Sequence, residues 1–344
     1  MTKPALPAYN RDLFLLAFGV VVAAILAVDL LIVPSRFADY DSYLFYIDSI
    51  WYFPSATPIY MEPLSRAYLY IARGMSETTD VALDRSHYLL ALVYLIGIYA
   101  LLYNRADSWQ ALLVVFAITA PLLALVTVRA TPAYLLVALA GNTAAQKPAR
   151  SALYMALALC FHVSAGLVIG PWALLLIRAK LPTALRAERV KPLLVLGVLI
   201  ALLFAYFGQT LVSALLSLIE GLPVLNKYMA YSQDYGPRTG QPRVTSISHY
   251  IFFVFSIAYT VVYLVVADDD AKKINLYIIA SLPIYILLFF ALSPVAALRQ
   301  ACFWQLPMTV MLPWRRLGVT PAVAPLVIAA SLAFFLFQLS EVYQ

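Results

Sequence analysis

The stretch Arg129–Lys180, RATPAYLLVALAGNTAAQKPARSALYMALALCFHVSAGLVIGPWALLLIRAK, decides the fold. It holds three apolar runs, Thr131–Ala145, Ser151–Phe161 and Ser164–Ile177, and each falls short of the roughly 20 residues a spanning helix requires. We therefore expect short helices that do not each cross the whole bilayer. One straight helix over Ser151–Ile177 would place His162 in mid-membrane and turn the basic run after it outward. A break at His162 returns that run to the inside. Arg129 and His162 then both face outward, at the floor of a depression left above short helices, where non-helical backbone is tolerated at membrane depth.

Composition sets the class. The chain has 344 residues, is 64% hydrophobic and 12% charged, and carries 21 prolines against 12 glycines, which describes a polytopic all-α membrane protein. Its net charge of +6 reflects membrane orientation; nucleic acid is not indicated as a partner. Cys160 and Cys302 lie inside apolar runs without metal-ligand spacing, so they read as small buried hydrophobes, and neither a metal nor a cofactor is expected. Leu13–Val33 is too long for a signal-peptide core and reads as a retained first helix.

Residues 1–344 are expected to form a single membrane domain with two outer loops. Residues 34–85 are polar and aromatic by turns, a loop with internal structure; in it Glu62 stands at the start of a helix, Pro63 occupies its first turn and Gly74 ends it. Glu62 and Arg66 would share a face of that helix. Residues 219–248 form a second loop, rich in tyrosine. Counting Leu13–Val33, Ser86–Tyr103, Trp109–Thr127, the three short runs, Leu193–Leu218, Tyr250–Ala267, Ile274–Leu292, Ala296–Pro313 and Pro321–Leu339 gives about eleven membrane segments, several of them short or re-entrant, around an outward-facing cavity. With the N-terminus inside and the C-terminus outside, the inner segments carry 14 Lys and Arg against 6 acids, the outer ones 9 against 11, as the positive-inside rule demands.

This orientation gathers Asp41, Glu62, Arg66, Arg129, His162, Arg238, Arg243, His249 and Arg299 on the outer side. An arginine in or beside the hydrocarbon layer is costly, and its planar fork suits a phosphate, so Arg129, Arg299 and Arg66 are candidate phosphate ligands. The plainer alternative is that they snorkel to headgroups or lock helix ends. His162 and Glu62 are candidate general bases, against a helix-end histidine and a structural ion pair; Asp41 is a third candidate, against a turn residue. Tyr228, Tyr231 and Tyr235, with Arg238 and His249, offer ring faces and hydrogen-bonding groups for sugars, or else an interfacial aromatic belt. No mid-span acid pair suggests an ion path.

DYDSY after the first helix, EPLSRAYLY in the outer loop, VRATPAYLLVALA, a basic residue (Lys147 or Arg150) ahead of ALCFHVSA, and LRQACFWQLPMTVMLP near the end resemble, in this order, the EpsG family of bacterial exopolysaccharide proteins, relatives in function of the Wzy O-antigen polymerases. Arg36, Phe37 and Ala38 stand where members often carry glycines. The resemblance implies a metal-independent C-type glycosyltransferase in the bacterial inner membrane that joins polyprenyl-diphosphate-linked oligosaccharides, donor and acceptor. Arg129 and Arg299 would hold the donor diphosphate. Membrane lipids and a chain-length regulator are further candidate partners. An O-antigen ligase-like enzyme, a lipid-linked oligosaccharide flippase or carrier, and a scaffold of a secretion complex remain as alternatives.

Overall fold

The computed structural model describes residues 8–31, 35, 40–53, 61–103, 108–177, 197–199, 247–266, 274–292, 294–312 and 323–342. Among them there is no strand: the protein is all-helical. The helices are α1 (Ala8–Leu31), α2 (Tyr40–Tyr52), α3 (Pro63–Gly74), α4 (Thr79–Leu102), α5 (Ser108–Leu123), α6 (Thr131–Thr143), α7 (Pro148–Phe161), α8 (Ile169–Ile177), α9 (Ile247–Val266), α10 (Asn275–Leu287), α11 (Pro294–Met311) and α12 (Val323–Val342). A 3₁₀ segment, Val163–Val168, precedes α8, and a π-helical turn, Leu288–Leu292, follows α10. Three helices, α1, α4 and α9, are long and apolar enough to cross a membrane, and several shorter apolar ones accompany them, consistent with a membrane protein. Ten of the eleven apolar runs coincide with described helices; Leu193–Leu218 lies outside the described residues apart from 197–199.

The described residues pack as two units. The first contains α1–α5, α6 as far as Leu139, the short piece Cys160–His162, and α12. Here Phe14 of α1 meets Tyr99 and Tyr103 of α4, each at 5.8 Å between ring centroids. Tyr94 of α4 shares a 2.9 Å hydrogen bond with Thr119 of α5, and Gln338 of α12 donates to the Ile118 carbonyl at 2.7 Å. Buried groups of this kind satisfy backbone and side-chain polar atoms that lipid cannot. Gly97 of α4 makes room for α6: a Cβ there would stand 2.6 Å from a Leu135 methyl, so an added side chain would force the Leu135 side chain to shift.

The region expected to be a structured outer loop, residues 34–85, is helical over much of its described part. On α2, Tyr40, Tyr43, Ile47 and Ile50 recur at helical spacing and are buried against Leu69 of α3 and Ala82, Leu83 and Leu90 of α4. Asp41, a candidate turn residue, instead lies in the first turn of α2, where its charge complements the helix dipole. The helix expected from Glu62, Pro63 and Gly74 is there with those bounds. Buried Arg73 fastens its end: Nη1 donates to the Ser76 carbonyl at 2.8 Å, Nη2 to the Tyr52 hydroxyl at 3.3 Å, and the guanidinium lies 5.1 Å from the Trp51 ring centre. α4 begins at Thr79, well before the apolar run that starts at Ser86, because the Thr78 hydroxyl accepts the Val81 N–H and caps the helix there.

The second unit holds the rest of α6, α7 up to Leu159, the 3₁₀ segment and α8–α11 as far as Met308. Ser151 Oγ donates to the Ala140 carbonyl at 2.7 Å and accepts from Trp172 Nε1 at 2.9 Å, which ties α6, α7 and α8 at one point. Gln305 donates to Ser256 Oγ at 2.6 Å, joining α11 to α9, and Tyr277 donates to the Phe303 carbonyl at 2.8 Å, joining α10 to α11.

Candidate functional site

The first unit contains Asp41, Glu62, Arg66, Arg129 and His162, five of the candidate residues singled out from the sequence. Glu62 takes the N-cap position of α3 in an extended conformation, with its side chain 1% exposed. Its carbonyl accepts the Arg66 N–H at 2.9 Å, so Glu62 and Arg66 stand one helical turn apart at the start of α3, as expected. One residue before Arg66, Ser65 Oγ donates to the carbonyl of Phe161 at 2.6 Å.

Phe161 is the last residue of α7, and the carbonyls of a helix's final turn have no partner within the helix. A side chain from α3 supplies one. His162 follows, non-helical and 4% exposed, before the tighter 3₁₀ segment begins. The expected break is thus present at His162. The Ser65–Phe161 bond leaves Glu62 one helical turn away on one side and His162 one residue away on the other.

Arg129 lies in a buried turn, Ala124–Ala130, between α5 and α6. Side chains hold this turn: Thr131 Oγ1 donates to the Leu123 carbonyl at 2.7 Å, Thr127 Oγ1 donates to the Leu122 carbonyl at 3.0 Å, and the two hydroxyls are 2.8 Å apart. The turn shortens the expected Trp109–Thr127 span, which ends as a helix at Leu123. The Arg129 guanidinium is 4.9 Å from the ring centre of Tyr46 on α2, and its Nη1 is buried with no hydrogen-bond partner. Tyr46 in turn meets Tyr43 edge-on, with ring centroids 6.0 Å apart.

The other candidates are distributed differently. Asp41 is exposed on α2. Arg299 belongs to the second unit, where it is half-buried inside α11 rather than leading it. His249 lies in the first turn of α9. Tyr228, Tyr231, Tyr235, Arg238 and Arg243 fall outside the described residues. Among the described residues no group of His, Cys, Asp and Glu is arranged to hold a metal ion.

Two residues not singled out in the sequence, Ser65 and Tyr46, are what connect the site. Tyr46 had a local signal, three residues after Tyr43 on one helical face. Ser65 had none, since its partner is 96 residues away.

No curated protein and no solved structure matches the chain. The model of the EpsG family matches residues 16–341, nearly the whole sequence, and the chain belongs to that family, a membership that suggests a polysaccharide polymerase.

Proposed function

We propose that the protein polymerises polyprenyl-diphosphate-linked oligosaccharide repeat units on the outer face of the bacterial inner membrane, as a C-type glycosyltransferase. The observation that supports this reading is the Ser65–Phe161 bond, which joins the helix that Glu62 starts to the helix end that His162 follows, in the unit that also holds Arg129.

The hydroxyl oxygen of an acceptor unit attacks the anomeric carbon of the donor. The bond from that carbon to the diphosphate oxygen breaks, and its electron pair leaves with the polyprenyl diphosphate. The hydroxyl proton passes to His162 or Glu62 as general base. Arg129 stabilises the charge gathering on the diphosphate, which a fixed cation in a water-poor site does effectively. Arg299 is a second phosphate ligand on the strength of its residue type and sequence position.

In this reading the N-terminus and the turns near Arg105, Lys147, Ala187, Ala271 and Arg316 are cytoplasmic, and Thr79, Gly236 and Gln344 face outward. Accessibility tags at these positions check the topology, and an outside signal at Ala187 would remove the outward site.

The function is tested with purified protein in vesicles holding lipid-linked repeat units. A ladder of lipid-linked chains supports polymerisation. Transfer only onto a lipid A core acceptor indicates a ligase, and movement across the bilayer without bond formation indicates a carrier.

A further inference from the structure

Among the described residues, the contact shown for the Arg129 guanidinium is the face of a ring. A carboxylate would neutralise the guanidinium and occupy its N–H donors, whereas a ring attracts the cation through its quadrupole and leaves the in-plane donors open. Tyr46 supplies that face at 4.9 Å, and Nη1 is left buried and without an acceptor. A buried donor in this state is costly unless a ligand oxygen completes it.

The orientation of the ring is itself determined. Tyr46 is packed against the cluster in which α2, α3 and α4 meet, a cluster that includes Tyr43 and Val128, the residue preceding Arg129. The turn carrying Arg129 is fixed from the other side by the Thr127 and Thr131 hydroxyls.

We propose that Tyr46 is the positioning residue for a diphosphate site at Arg129. It fixes the guanidinium plane from α2 so that the donor edge, Nη1 included, meets the phosphate oxygens of a lipid-linked diphosphate. The proposal rests on the reading of Arg129 as a diphosphate ligand and names the residue through which the outer helices act on it. Tyr46 touches no reacting atom; its effect falls on donor binding, so KM rises while kcat at saturating donor changes little.

The test is binding of inorganic diphosphate to the purified full chain, alongside donor KM, for wild type, Tyr46→Phe, Tyr46→Leu, Arg129→Gln and the Tyr46→Leu/Arg129→Gln double variant. Tyr46→Phe keeps the ring and is expected to bind within about 3-fold of wild type. Tyr46→Leu is expected to weaken diphosphate binding by about 3- to 30-fold, the span of a cation–π contact. In the Arg129→Gln background the same change is expected to have no further effect.

Wild-type binding by Tyr46→Leu, or an equal loss in the Arg129→Gln background, overturns the positioning role while the phosphate reading of Arg129 stands. Wild-type binding by Arg129→Gln overturns both. Tyr46→Met, which also lacks a ring face, carries the same comparison if Tyr46→Leu does not yield monodisperse protein.

Discussion

Ser65 Oγ donates a 2.6 Å hydrogen bond to the carbonyl of Phe161, so that the first turn of α3 caps the last turn of α7. A helix-end carbonyl that would otherwise lack a partner within its own helix is satisfied, and α7 stops before His162.

Removing that cap tests its role. Ser65→Ala leaves the Phe161 carbonyl unsatisfied and should lower stability by about 1 kcal/mol, read as a lower melting temperature of the purified protein. Because Glu62 and His162 flank the bond, kcat should fall by more than donor affinity. Unchanged turnover would separate the cap from the chemistry.

Arg129→Lys keeps the charge but loses both the planar fork and the face that stacks on Tyr46. Arg129→Lys and Arg299→Lys should each express in the membrane and lose most polymer. Polymer of wild-type length from both variants, measured on gels of the lipid-linked products, would reduce the two arginines to headgroup anchors.

His162→Ala should lose turnover more than donor affinity, by about 10²–10⁴-fold if it removes a positioned base. His162→Gln decides the role, since glutamine hydrogen-bonds but does not accept a proton near neutrality. Near-normal turnover in that variant assigns His162 to positioning and passes the proton to Glu62 or Asp41.

Tyr40, which donates a long 3.5 Å hydrogen bond to Asp84, has its pKa pushed up from 10.0 to about 12 by burial first and then by the negative charges of Asp84, Asp80 and Asp41. The folded state therefore favours the neutral phenol. The stabilisation is fully present below pH 10, where the unfolded tyrosine is neutral as well, and is lost as pH rises through about 12. A tyrosinate difference spectrum between wild type and Tyr40→Phe should show one group ionising near pH 12; a midpoint near 10 would mean that Tyr40 is not held against α4.

The sequence made α3 readable because its start and stop are local: Pro63 suits a first turn, and Gly74 closes the last. The break at His162 was readable from the lengths of the apolar runs and from the expectation that the basic run after Ile177 lies inside. α2 was missed because its buried face is built from Tyr40 and Tyr43 as much as from Ile47 and Ile50, so the aromatic residues resembled loop chemistry instead of helical period. The turn at Ala124–Ala130 was hidden inside an apolar run, since what bends it is hydroxyl-to-carbonyl bonding by Thr127 and Thr131. The Ser65–Phe161 and Tyr46–Arg129 contacts join distant segments, and no local pattern encodes such pairs. Glu62, His162 and Arg129 are candidates by residue type and by the expected membrane side; the contacts around them were not legible.

The cap on α7 also bears on how the chain assembles during synthesis. Ser151–Ile177 is apolar apart from His162, and a hydropathy-reading insertion machinery would treat it as one crossing. α3 is made before α7, so Ser65 already stands ready when Phe161 emerges. In the proposed orientation, with α3 on the outer side, the direction in which everything after Ile177 is threaded depends on that contact, and a chain lacking Ser65 gives the machinery one less reason to stop at His162. Misinserted protein, degraded rather than inactive, is therefore a distinct fate for variants at this joint.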